Sequence, residues 1–177
     1  MRSSIRVPLL LGMLGMVGYV LAVDGSTPTK RCGRHMVNAG ASCAREGTTL
    51  DRVATICWTI VNGPRMRDTT WSARIRERWN GVLHQLDHTP SDAPAVTTHK
   101  SDIRLCTDHA TSVHAHVYVC LHELAHIGVT SVGHTPEFWT CFRALLDQGI
   151  EMGLYRHDPD NTVCRTPIGP MPMPGKA

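Results

Sequence analysis

The residues of this chain whose types and spacing could do chemistry are two histidines four apart, with a glutamate beside the first, in the run His122-Glu123-Leu124-Ala125-His126. In an α-helix such a pair lies about 40° apart around the axis, so both imidazoles leave one face and reach a single ion. Zinc accepts neutral imidazole at about 2.0–2.1 Å, and a catalytic zinc keeps three protein ligands and leaves the fourth position to water. The metal lowers the pKa of that water toward about 7, and a neighbouring carboxylate takes its proton as the water attacks a polarised peptide carbonyl. Glu123 stands in sequence where that base is needed. The expected cofactor is therefore Zn2+, and the expected reaction is peptide-bond hydrolysis of the His-Glu-x-x-His type.

A third ligand has to come from outside this run. Gly128 stops the helix and frees the chain to fold back. His134 follows His126 after seven intervening residues and directly precedes Thr135-Pro136-Glu137, a helix start with cap, N1 proline and acidic first turn in order. His134 is the expected third ligand, weighed against an acidic residue on the following helix, Asp147 or Glu151. Six of the chain's 11 histidines (His109, His114, His116, His122, His126, His134) fall within 26 residues, which makes a metal site the first thing to test. His114 and His116 lie up the same helix and are read as partly exposed and solvated. Tyr155 is a candidate donor to a developing oxyanion.

Around the motif, hydrophobic periodicity predicts the elements that must hold it. A helix from Thr48 or Thr49 carries Val53, Ile56, Cys57 and Ile60 and ends at Gly63-Pro64; a second, capped by Thr69 or Thr70, carries Trp71, Ile75, Trp79, Val82, Leu83 and Leu86. Arg74, Arg76, Glu77 and Arg78 form a solvated face of that second helix. After a loop from His88 to Pro94, Ala95 to His99 and Ile103 to Cys106 flank Lys100-Ser101-Asp102 as a β-hairpin. The motif helix runs from Thr111 or Ser112 to Ile127, and a last helix presents Phe138, Phe142, Leu145, Leu146 and Ile150 before Gly153.

Composition bounds the rest. The 177 residues are 42% hydrophobic and 19% charged, enough for one compact domain. Arg2 and Arg6 precede the first acidic residue, Asp24, so the remainder has 16 basic and 15 acidic residues and no electrostatic footprint for nucleic acid. Residues 1–23, basic and then apolar from Val7 to Val23, read as a signal peptide or signal anchor, which places the protein in a membrane or, after cleavage, outside it. Residues 24–47 read as a linker, 48–165 as the catalytic domain and 166–177 as a loose tail. Seven cysteines form no C-x-x-C pair; they are compatible with up to three disulfides or with small buried hydrophobes.

The segments Cys120 to Ile127 and Gly133-His134-Thr135-Pro136-Glu137-Phe138-Trp139 resemble the WLM/SprT-like zinc metallopeptidases, most closely the small members encoded by large nucleocytoplasmic DNA viruses. The resemblance takes in residues 69 to 165. It implies a minimal zincin-like α+β fold, with helices on a small β-hairpin or sheet, zinc on His122, His126 and His134, and Glu123 as catalytic acid/base. Partners so implied are a protein or peptide substrate and, through an uncleaved leader, a membrane. Two other readings compete: a non-catalytic module that zinc merely stabilises, and a protease acting on DNA-bound proteins.

Overall fold

The structure, a computed structural model, describes residues 28–86, 93–108 and 110–172. Among them the chain is α+β, with one mixed sheet and four helices. Strands β1 (Thr29–Cys32) and β2 (His35–Asn38) form a hairpin, and a π-helical turn, Cys43–Gly47, leads into helix α1 (Thr48–Val61). Helix α2 (Thr70–Arg78) is followed by β3 (Leu83–Gln85), β4 (Ala95–Thr98) and β5 (Asp102–Leu105). Helices α3 (Val113–Gly128) and α4 (Pro136–Glu151) come next, then a small hairpin of β6 (Thr162–Val163) and β7 (Thr166–Pro167).

The five-stranded sheet has the order β1-β2-β3-β5-β4, which leaves β4 on an edge. β3 is parallel to both neighbours, whereas β4 and β5 are an antiparallel hairpin paired from Ala95↔Leu105 to Thr98↔Asp102. His99 and Lys100 turn that hairpin with φ of 53° and 52°, the left-handed pair that matches the right-handed twist of its strands. On the sheet lies α3, packed against α1, α2 and α4 on its other sides. Ala115 to Leu121 are all buried, as are Leu124, Ala125 and Ile127. An apolar helix enclosed this way is held by tertiary packing rather than by intrinsic propensity.

Several elements differ from the expected ones, each for a local reason. The stretch read as a linker contributes β1, β2 and the π-helical turn, tied together by the Cys32–Cys43 disulfide. Helix α2 stops at Arg78, because Gly81 takes φ +79° and Asn80 Oδ1 accepts from Val82 N at 3.0 Å, so Leu83 and Gln85 continue as a strand with both side chains buried. Residues 166–172 are no loose tail: they start with β7 and lie against α3 and α4. No described helix is long and apolar enough to cross a membrane. The membrane or secreted placement is corrected on that finding, and the leader at 1–23 on which it rested lies outside the described residues.

Four of the cysteines pair, Cys32 with Cys43 and Cys106 with Cys164, while Cys57, Cys120 and Cys141 are buried thiols in the core. His116 is buried too, and its Nε2–H donates to Cys106 O at 3.1 Å. Burial pushes this imidazole down to about 4, against a smaller opposing effect of the hydrogen bond. Because the folded pKa lies below the unfolded value of about 6.5, the unfolded chain binds the proton first. The stability held by the neutral ring is complete above pH 6.5 and is lost as pH falls toward 4. Urea unfolding at pH 7 and pH 4 should show a smaller acid loss in His116→Gln than in the wild type, by up to about 3 kcal/mol; equal losses would mean that the ring protonates in place.

Candidate metal centre

Helix α3 brings the motif to the middle of the fold. Ser112 caps it, its side chain accepting from Ala115 N at 3.2 Å, and ten residues later His122 faces α4. Gly128 is the last helical residue and is not left-handed; its role is close approach. A Cβ there would stand 3.2 Å from Cys141 Sγ, 3.3 Å from Ile75 Cδ1 and 3.4 Å from Trp71 Cβ, so glycine lets the end of α3 lodge between α2 and α4.

The return loop to His134 is held by two cations from neighbouring elements. Lys100 Nζ, on the β4–β5 turn, donates to Val129 O at 2.7 Å and to Ser131 O at 2.6 Å. Arg74 Nη1 donates to Gly128 O at 3.1 Å and lies 3.6 Å from Glu137. The arginine read as part of a solvated face thus serves the last carbonyls of α3, where positive charge complements the helix dipole. Gly133, at φ +80°, makes the turn before His134, and Thr135 caps α4 by accepting from Phe138 N at 3.3 Å.

These supports bring His122, His126 and His134 together, with one ring nitrogen from each within 4.8 Å of the others. His122 Nε2 and His134 Nε2 are 3.0 Å apart. Tetrahedral zinc at about 2.05 Å from each nitrogen places ligand nitrogens about 3.4 Å apart, so small ring movements suffice to seat the ion. Phe138 lies beneath all three rings, with centroids 4.9, 4.3 and 4.7 Å away, and Trp139 stacks on His134 at 5.3 Å. Burial, then the neighbouring imidazoles, depresses His122 to about 3; burial, then His134 and Lys100, depresses His126 to about 4. Both are held in the neutral form that a metal needs.

Glu123 is buried, and its Oε2 accepts from Thr97 Oγ1 of β4 at 2.7 Å. Burial raises its pKa, and the bonds from Thr97 partly offset that rise. With His122 it lines a cleft of about 480 Å³ whose other walls are Tyr118 and Val119 of α3, Trp139, Ala93 to Ala95, and residues 166–172. The acidic alternatives lie elsewhere: both oxygens of Asp147 accept from Arg143 Nε at 2.9 Å, and Glu151 pairs with Arg65 at 2.8 Å. Tyr155 is outside the cleft lining, buried, with its hydroxyl 2.9 Å from His157 Nδ1, so it is not placed as the oxyanion donor. Residues not anticipated are Thr97, Lys100 and Tyr118. Only Tyr118 left a signal, one helical turn before His122 on the same face.

No family model matches the chain, and no solved structure matches it. Two viral proteins are similar over part of it. One is uncharacterized protein 042R of Invertebrate iridescent virus 3, 39% identical over 69 residues, or 36% of this chain and 43% of that protein. The other is uncharacterized protein 136R of Invertebrate iridescent virus 6, 32% identical over 95 residues, or 45% of this chain and 53% of that protein. The chain thus spans about half the length of the curated relatives it matches.

If the three imidazoles form one site, competition against a chromophoric chelator should give one zinc per chain. His134→Ala should weaken zinc by more than the roughly 10–100-fold that loss of an outer-shell partner costs, and Asp147→Asn should leave it unchanged. The converse pattern would return the third ligand to α4.

Proposed function

We propose that this chain is a zinc-dependent peptidase of the WLM/SprT-like kind with a minimal zincin-like fold. The observation that carries the reading is the Glu123 carboxylate, buried beside three convergent imidazoles and facing a cleft of about 480 Å³. His122, His126 and His134 would hold zinc, which supplies Lewis acidity toward a substrate carbonyl and a water of lowered pKa. Glu123 accepts the water's proton and returns it to the leaving amine, so one group acts as base and then as acid. Thr97 holds Oε2 through its 2.7 Å bond and so limits the carboxylate's rotation. β4, the edge strand among the described residues, would offer backbone donors and acceptors to an extended peptide lying beside Glu123.

A burial-raised pKa suits a base, since the carboxylate then holds the abstracted proton more readily. Depression of His122 and His126 keeps two ligands unprotonated at neutral pH. Chemistry and metal binding thus make opposite demands on adjacent residues, and burial serves both: it disfavours the carboxylate's negative charge and the imidazoles' positive charge alike.

Glu123→Gln tests the assignment, because it removes the base and keeps the shape. The variant should retain one zinc while cleavage of an unfolded protein such as casein falls by about 10²–10⁴-fold. Undiminished cleavage would remove Glu123 from the mechanism. A wild type that cuts no protein or peptide, yet melts when zinc is chelated, would establish the metal as purely structural.

A further inference from the structure

Past Glu123 the cleft runs away from the histidines, and its far wall is the strap of residues 166–172. The strap is fixed at several points. Its start is tied to the end of β5 by the Cys106–Cys164 disulfide, and Ile168 N donates to Asn161 O at 3.0 Å. The Tyr118 hydroxyl, on α3, donates to Pro170 O at 3.0 Å, and Arg143 Nη1, on α4, donates to Pro172 O at 2.5 Å. Gly169 permits this approach: a Cβ there would stand 2.9 Å from the Tyr118 hydroxyl oxygen. Pro167, Pro170 and Pro172 have no N–H and restrict φ, so the strap is a stiff segment that side chains grip by its carbonyls.

With the strap held this way, the space between it and α3 stays open, and its volume lies within the usual range of about 300–1,000 Å³ for ligand pockets. A blocking segment would fill that space, whereas this one lines it. The surfaces facing it are the Tyr118 ring, Val119, Trp139, Ile168 and Met171, and Glu123 is the one acidic group among the described lining residues, with no lysine or arginine there. An acidic side chain entering would lose its water without gaining a lysine or arginine partner. A small one would leave the walls unfilled.

We infer that residues 166–172 are the specificity wall of the cleft, positioned by Tyr118 and Arg143, and that the pocket takes a bulky apolar side chain of the substrate peptide. What happens to that peptide rests on the peptidase reading above; which side chain enters does not.

Zinc-loaded Glu123→Gln protein, which holds a peptide without cutting it, separates the two questions. Calorimetry with blocked alanine-rich octapeptides carrying one leucine, alanine or aspartate at a single central position should show leucine bound about tenfold or more tighter than alanine, and aspartate weakest. Adding Ile168→Trp, which fills the pocket, should erase the leucine advantage. Tyr118→Phe, which keeps the ring and drops the bond to Pro170, should reduce it while zinc affinity stays constant. Equal or undetectable binding of the three peptides at millimolar concentration overturns the inference, as does an unchanged leucine advantage in both variants. Discrimination by a protein whose wild type cuts nothing would sustain the pocket and sink the peptidase; cleavage without discrimination would do the reverse.

Discussion

Helix α3 must do two things that conflict. It has to bury nearly its whole circumference, because the sheet and three helices pack on it, and it has to present two imidazoles and a carboxylate that need polar company. Polar groups buried without partners cost free energy on the order of 1–3 kcal/mol each. The conflict is resolved along one stripe of the helix, where Tyr118, His122 and His126 follow at four-residue intervals. Tyr118 meets the strap and the two histidines meet His134, while Glu123, one step around the helix, meets Thr97 of β4. Tyr118, His122, His126 and Glu123 thus each have a partner from another element, so the order of the sheet and the course of residues 166–172 are conditions for the site.

The loop from Val129 to Thr135 is where this dependence concentrates. Its position follows from Lys100 and Arg74, which reach it from the hairpin turn and from α2. Neither residue belongs to the ligand set. Together they satisfy carbonyls at the end of α3 and in the following loop, which otherwise have no helical partners. Hairpin, second helix and ligand loop are therefore one electrostatic unit, built around a helix terminus that glycine allows to sit unusually close to its neighbours.

Much of this was legible in the sequence where the signal is local. The four-residue spacing of His122 and His126, the Ser112 and Thr135 caps and the hairpin around Lys100 each rest on rules that operate within a few residues, and the structure has them at those positions. What was illegible depends on distant partners. Thr97 touches Glu123 only because β4 is the edge strand against α3; β1 and β2 are short, glycine-flanked and pinned by a disulfide, so they carry no sustained period. Leu83 continues the helical spacing of α2 but is a strand residue, since one left-handed glycine at 81 overrides periodicity. The proline-rich stretch has the composition of a disordered tail, and residues 166–172 take their course from side chains on α3 and α4.

The strap contains none of the metal-ligand candidates and not the proposed base; those all lie on α3 and in the turn before α4. On the proposed reading, reaction and selection lie in separate stretches of the chain, joined by two side-chain bonds to proline carbonyls and one disulfide. Such a division makes the protein modular in an evolutionary sense. If the proposal holds, substitutions within residues 166–172 could redirect which peptides fit without touching His122, His126 or His134, leaving diet free to change while the chemistry stays fixed.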